Sequence, residues 1–400
     1  MRQSRRSFFD VLSGGRAGFD PGEWLAARGH EEYQAQAAQA PEGRRPRPVL
    51  PPGVKAIRIS SNENPLGPGK AALDAIMRKF PEAGRYPFNS TPADRELVNA
   101  LATKFGTKPE NVVLGAGSQE ILKSAVRAFT SPTRSLVTAS PSFENCPQLA
   151  KKLGHPVTEI KVDSAFRLDL DGMAAAAKGA GLVFLNNPNN PTATVHGSKA
   201  VSDFVQRVRS ASPDTVILID EAYHDYVTDP SYESAIPLAL QTPNVFVART
   251  FSKAYGMAGL RIGYGIGQAS TMKPMAQLKM PYNVSVFGVA AALAAFADTK
   301  HIDEERARNT EVRAFTVRAL EDLGSKSSDS QGNFLFVDVG RPAADFRDAC
   351  AKQGIMVGRD FPPFEKSHAR ISLGTMEEMK KATAVFRNVL RPVTTTAGRK

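Results

Sequence analysis

The chain has 400 residues, room for two or three domains and a large core. Hydrophobic (42%) and charged (23%) fractions are globular averages, and Gly 31 with Pro 28 stays far below collagen-like or low-complexity compositions. Two cysteines, Cys146 and Cys350, exclude a disulfide scaffold and a four-thiolate metal site, and the net charge of +11 forms no zinc-finger, basic coiled-coil or aromatic-interleaved pattern that would suit nucleic acid.

In chain order, residues 1–55 read as a tail and linker. Ser4-Arg5-Arg6-Ser7-Phe8-Phe9 resembles a twin-arginine export motif, but Asp10, Arg16, Asp20, Glu23 and Arg28 interrupt the apolar segment that such a signal needs. A cytoplasmic protein with a polar tail is the expectation, and export is the alternative. The prolines of residues 42–52 predict an extended linker. Residues 56–85 read as an N-terminal arm and helix. From there, apolar β-rich runs at 111–114, 135–138, 181–185, 215–219 and 245–248 are separated by helical patterns at 119–129, 143–153 and 198–210. Continuous apolar strands separated by helices predict an α/β fold, a large domain over 86–283 with a mainly parallel sheet between helices. The apolar run at 284–297 is shorter than the ~20 residues of a membrane helix and reads as a buried helix. A helix at 303–323, strands at 334–338 and 370–373 and a helix at 377–390 complete a smaller C-terminal α/β domain, 284–400.

Open α/β sheets bind ligands at the carboxyl ends of their strands, and polar motifs gather there. Gly115-Ala116-Gly117-Ser118-Gln119-Glu120 joins a strand to a helix, where glycines allow close approach and helix N–H groups can hold a phosphate, although such turns also occur without a ligand. Asn186-Asn187-Pro188-Asn189-Asn190-Pro191-Thr192 is a rigid loop offering amide donors, or a plain turn. Asp220 ends an apolar strand as a carboxylate in the crevice, or as a cap for the next segment. The most specific passage runs from Thr250-Phe251-Ser252-Lys253 to Arg261, with two hydroxyls, a lysine and an arginine flanked by Gly259 and Gly263.

Together these four elements resemble fold-type-I pyridoxal-phosphate enzymes, and Thr-x-Ser-Lys at 250–253 resembles the attachment segment of class-II aminotransferases of the histidinol-phosphate aminotransferase kind. The similarity extends from Ser60-Ser61-Asn62-Glu63-Asn64-Pro65-Leu66-Gly67 to Ile371-Ser372-Leu373-Gly374. It implies pyridoxal 5'-phosphate joined to Lys253 as a Schiff base, with Lys253 also the proton shuttle. It further implies Asp220 on the protonated ring nitrogen, Asn190 and Tyr223 on the ring oxygen, and Phe143 on the ring face. Gly117, Ser118, Gln119, Thr250, Ser252 and Arg261 would hold the phosphate, and Tyr86 would reach a neighbouring subunit's phosphate in a homodimer. Arg370 matches the arginine that takes a substrate carboxylate in a bidentate pair, with Arg359 and Asn64 as further substrate contacts. No metal is implied.

The implied reaction moves an amino group between an amino acid or amino phosphate and a 2-oxo acid. A decarboxylase or lyase resembling threonine-phosphate decarboxylase is the alternative, since it can share all these residues. A DNA-binding regulator is disfavoured because the proline-rich first 55 or so residues show no helix-turn-helix, and a hydrolase because the sequence shows no H-x-x-x-H spacing and no G-x-S-x-G elbow. Ala193, Gln119 and Phe143 stand where the family commonly has Gly, Asp and Tyr. Gly358 stands where histidinol-phosphate enzymes usually place a phosphate-gripping arginine, with Arg359 displaced by one position and Phe361 and Phe364 expected to add apolar surface. Aromatic amino acids therefore stand beside histidinol phosphate as expected substrates.

Overall fold

The computed structural model describes residues 56–86 and 93–390, and the twin-arginine segment and linker at 1–55 lie outside them. The N-terminal arm carries strand β1 (Ile57–Ile59), followed by helices α1 (Lys70–Lys79) and α2 (Ala93–Lys104). Then come β2 (Val112–Ala116), α3 (Ser118–Phe129), β3 (Leu136–Ser140), α4 (Asn145–Lys152), β4 (Val157–Lys161), α5 (Leu170–Ala176), β5 (Leu182–Asn186), α6 (Ser198–Ala211) and β6 (Val216–Asp220). The passage continues through α7 (Ile236–Gln241), β7 (Val245–Thr250), β8 (Ile262–Gly267), α8 (Ala269–Gln277) and α9 (Val286–Ala297). Last are α10 (Thr299–Glu321), β9 (Phe334–Asp338), α11 (Ala343–Ala351), β10 (Ile355–Val357), β11 (His368–Ser372) and α12 (Met376–Leu390).

Among the described residues the large sheet has seven strands in the order β2-β8-β7-β6-β5-β3-β4, all parallel except β8, which runs antiparallel to both neighbours. The expected mainly parallel sheet is thus present. Strands β5, β6 and β7 carry apolar runs because successive side chains feed two different cores, whereas the edge strand β4, Val-Thr-Glu-Ile-Lys, has no buried residue. Val183, Leu185, Ile217, Ile219 and Val247 join one cluster, while Leu182, Phe184, Val216, Leu218 and Phe246 join the cluster on the opposite face. Each such side chain contributes about 1.5–3 kcal/mol on leaving water.

Strand β8 has no such apolar run, reading Ile-Gly-Tyr-Gly-Ile-Gly. Helix α3 lies so close that a Cβ on Gly263 would stand 2.3 Å from the Ser118 amide nitrogen. Small residues here set the distance between helix N-terminus and sheet.

The smaller domain has its own core, built from Val312 and Leu320 of α10, Leu335 and Val337 of β9, Phe346 of α11, Ile371 of β11 and Phe386 of α12. Two features depart from the expected boundaries. Helix α9, expected at the start of the small domain, places Val289, Ala291, Ala292 and Ala295 in the large domain's core and packs on α1. Its sequence is apolar on every side, and the large domain buries Gly288 to Ala292 and Ala295 while Phe287, Leu293, Ala294 and Phe296 stay half-exposed. Strand β1 pairs in parallel with β10 and buries Ile59 in the small domain's core, so the arm contributes a strand to that domain.

Candidate active site

The turn from β2 into α3 forms an anion cradle. Gly117 has φ +74°, a left-handed conformation that glycine adopts without strain, and a Cβ there would lie 2.2 Å from Arg261 Nη2. Arg261 reaches it from the far side of the lysine loop, donating from Nη2 to the Ala116 carbonyl at 3.3 Å and from Nη1 to Ser252 Oγ at 3.5 Å. Thr250 Oγ1 donates to Ser252 Oγ at 2.9 Å, and both hydroxyls are buried. Two hydroxyls, a guanidinium and the N-terminus of a 12-residue helix therefore face one small space. Ser118 is half-buried at that terminus and Gln119 is exposed.

At the end of β6, Asp220 and Glu221 have opposite fates. Glu221 is spent on structure, accepting from Arg249 Nε and Nη2 at 3.0 and 2.8 Å and from Ser234 Oγ at 2.9 Å. Asp220 is equally buried but, among the described residues, accepts only a 3.2 Å bond from the Ala222 amide. Burial pushes its pKa from 3.8 to about 7, and Glu221 adds to the rise against the pull of the Ala222 amide and Lys253. A carboxylate so placed is best suited to a cationic N–H. Lys253 donates from Nζ to the Ser61 carbonyl at 3.1 Å and sits 5.5 Å from the centre of the Tyr223 ring. Asn190 Nδ2 reaches the Tyr223 hydroxyl at 3.4 Å. Phe143, past the end of β3, is half-buried against the core cluster that includes Cys146, Phe184 and Ala248.

On β11, Arg370 is buried and crosses to the large domain, donating from Nη1 to Asn190 Oδ1 at 2.8 Å and from Nη2 to the Ser60 carbonyl at 2.6 Å. Its Nε is buried without an acceptor among the described residues, and burial pulls its pKa down to about 10, with Arg359 contributing a like charge. A buried guanidinium with an unmet donor favours an arriving anion. Arg359 is engaged elsewhere: its Nη1 and Nη2 lie 2.8 and 2.7 Å from the two carboxylate oxygens of Glu144. A Cβ on Gly358 would stand 2.6 Å from the Arg370 carbonyl oxygen, so no side chain fits there without moving β11.

Four residues singled out in the sequence have surroundings that it did not show. Asn64 bonds within the chain: Nδ2 donates to the Ala254 carbonyl at 2.9 Å and Oδ1 takes the Leu66 amide at 2.9 Å, fixing the turn after the arm. Phe361 adds no apolar pocket wall, because it is buried with the Arg359 and Arg370 guanidiniums 4.1 and 4.9 Å from its ring centre. Phe364 packs edge-on against Phe166 and Phe336 instead of facing the site. Tyr86 is 73% exposed, 5.2 Å from the Tyr282 ring, and touches none of the site's groups named above. Unforeseen in the sequence were Ser60, Ser61, Asn62 and Glu144, which bond to Arg370, Lys253, Tyr223 and Arg359 in turn.

The residues fit pyridoxal phosphate. The cradle that a Gly117 Cβ would fill suits the phosphate, Asp220, which is hydrogen-bonded to no cation among the described residues, suits a protonated ring nitrogen, and the Lys253 amine suits the aldehyde. Among the described residues no group of three or more His, Cys, Asp or Glu could hold a metal ion, and no helix is long and apolar enough to cross a membrane.

Comparisons with known proteins agree with this geometry. The family model for aminotransferase class I and II matches residues 54–386. A histidinol-phosphate aminotransferase from Moorella thermoacetica is 34% identical over 342 residues, covering 84% of this chain and 86% of the relative. One from an Anaeromyxobacter species is 34% identical over 345 residues, covering 84% and 92%. The crystal structure of a histidinol-phosphate aminotransferase from Sinorhizobium meliloti in complex with pyridoxal-5'-phosphate superimposes with a TM-score of 0.79 at 29% identity, covering 95% of this chain and 99% of that one.

Proposed function

The chain belongs to the class I and II aminotransferases and is a pyridoxal-phosphate-dependent transaminase, and from this premise we propose that its donor is an α-amino acid with a neutral or aromatic side chain, anchored by its carboxylate on Arg370. The acceptor is a 2-oxo acid, held by the same arginine. The observation that carries this reading is the pairing of Arg359 with Glu144 at 2.7 and 2.8 Å. That pairing withholds a second anion grip, and Gly358 has no room to supply one. A donor with one carboxylate is matched, whereas a phosphorylated side chain would meet Glu144.

Bound, the cofactor supplies an electron-withdrawing ring that acidifies the donor's Cα–H bond. The chain's residues do the rest. Arg370 would orient the donor through two parallel N–H···O bonds, and the Lys253 amine would take the Cα proton and deliver it to the carbon that carried the cofactor's aldehyde. Asp220 keeps the ring nitrogen protonated, and Tyr223 and Asn190 hold the ring oxygen. Phe143 covers the ring. Gly117, Ser118, Thr250, Ser252 and Arg261 fix the phosphate, with the Gln119 N–H in the same helix turn.

A homodimer completes the site in this reading. Leu73, Met77, Phe80, Tyr86, Met280 and Tyr282 are large apolar groups left exposed, all between 47% and 73%. A second copy of the chain covers such a face, and Tyr86 then meets its partner's phosphate. A second substrate reading, histidinol phosphate, is favoured by the names of the relatives and requires Arg359 to leave Glu144.

The test is a donor screen with 2-oxoglutarate as acceptor. Phenylalanine and tyrosine should transfer efficiently and histidinol phosphate poorly, and Arg370→Lys should lower kcat/KM for every amino acid by about 100-fold. Strong activity with histidinol phosphate and none with aromatic amino acids refutes the proposal.

A further inference from the structure

The arm residue Asn62 is held more tightly than a connecting segment requires. It is 1% exposed, and its φ of +55° is a conformation that few side chains other than Asn adopt without strain. Its backbone N–H donates to Ser372 Oγ at 2.9 Å, Ser372 Oγ donates back to its Oδ1 at 2.6 Å, and its carbonyl accepts from Asn333 Nδ2 at 3.1 Å. The Ser372 hydrogen is thereby committed to Oδ1, which leaves the amide a single orientation. Its NH2 points at the Tyr223 hydroxyl, 3.0 Å away.

Tyr223 accordingly receives two amide donors, Asn62 Nδ2 at 3.0 Å and Asn190 Nδ2 at 3.4 Å. A phenolic oxygen has one hydrogen to give and two lone pairs to fill. With both lone pairs facing N–H groups, the hydrogen can point at neither amide and must go to a third acceptor. We propose that Asn62 is a positioning residue that aims the Tyr223 O–H at the cofactor's ring oxygen. The inference rests on the reading of Tyr223 as a partner of that oxygen. Strand β11 ties this to substrate binding, since it carries Arg370 two residues before Ser372, the residue that orients the Asn62 amide. The flanking arm carbonyls of Ser60 and Ser61 bond to Arg370 and Lys253, so one three-residue stretch touches the carboxylate anchor, the amine and the phenol.

The test uses the cofactor-loaded enzyme without substrate, reading the pH midpoint of the cofactor's visible band. A hydrogen donated to the ring oxygen stabilises its anionic form and lowers the pH at which the linkage to Lys253 loses its proton. Asn62→Asp keeps an oxygen for Ser372 and tolerates the positive φ, but turns an acceptor toward Tyr223 and draws its hydrogen away. Asn62→Gly removes the amide and fits the same φ, so it carries the same readout if the Asp variant binds cofactor poorly. Both should raise the midpoint by about half a unit to one unit, a factor of ~3–10. Asn62→Gly should not move it further in a Tyr223→Phe background, because it acts through that hydroxyl, whereas the carboxylate of Asn62→Asp also adds its own charge.

A midpoint unchanged by either variant, with Tyr223→Phe shifting it, overturns the proposal and leaves Asn62 a structural clamp. Equal shifts by Asn62→Gly in both backgrounds also overturn it. A midpoint that Tyr223→Phe itself leaves unmoved overturns the reading of Tyr223, and the proposal with it.

Discussion

Replacing Asp220 by Asn should stabilise the cofactor-free protein while weakening the enzyme. The folded-state pKa of Asp220 lies at about 7 against 3.8, chiefly because burial penalises the charged form. The sign follows from proton binding: between pH ~4 and ~7 the folded carboxyl holds a proton that the unfolded one releases, so stability falls as pH rises through that window and levels off above it. The gap of about three pH units, at 1.36 kcal/mol each, corresponds to ~4 kcal/mol above pH 7. Asn is nearly isosteric, keeps an oxygen for the Ala222 amide and carries no charge to bury. Thermal or urea unfolding of cofactor-stripped protein at steps from pH 5 to 8 should show Asp220→Asn gaining on the unaltered protein as pH rises, by about 2–4 kcal/mol at pH 8. Other titrating groups are common to both proteins and cancel. With cofactor bound the order reverses, because the ring nitrogen's proton loses its counter-charge, and turnover should fall at least 100-fold. A difference independent of pH, or an Asn variant less stable than the unaltered protein at pH 8 without cofactor, refutes the reasoning.

Gly117→Ala places a methyl against Arg261 Nη2 at a positive φ, so cofactor Kd by equilibrium dialysis should rise about 10-fold or more, and an unchanged Kd would remove the cradle from that turn. Glu144→Gln releases Arg359 and should raise kcat/KM for donors with a second anionic group by about 10-fold relative to phenylalanine; an unchanged ratio would show that the ion pair does not select the donor. Sedimentation should give a dimer at assay concentrations, with Tyr86→Phe weakening cofactor binding while leaving the dimer intact. A fully active monomer contradicts the placement of Tyr86.

The inner parallel strands were legible because each is buried on both faces, which writes itself as an apolar run such as Leu-Val-Phe-Leu in β5, whereas the half-exposed edge strand β4, Val-Thr-Glu-Ile-Lys, carries no such run and was missed. Strand β8 was not legible either, since its alternating glycines encode the close approach of α3 and Phe246 instead of β-propensity. Lys253, Asp220, Asn190 and Arg261 could be singled out because each ends a readable strand or sits in a patterned loop. Asn62 and Asn64 could not be told apart. They stand two positions apart in one polar run, and their tasks are set by partners 161 and 190 residues away. Phe361 illustrates the same limit: an aromatic beside two arginines reads equally as a pocket wall or as the surface under their guanidiniums, and only the packing decides.

The central claim is that Lys253 carries the cofactor in a transaminase site built from both domains. Borohydride reduction of the cofactor-loaded protein, followed by digestion and mass spectrometry, should find the reduced pyridoxyl group on the peptide containing Lys253, and the group should be absent from every peptide of Lys253→Ala. A pyridoxyl group on a different lysine of the unaltered protein, or its retention in the variant, would contradict the account.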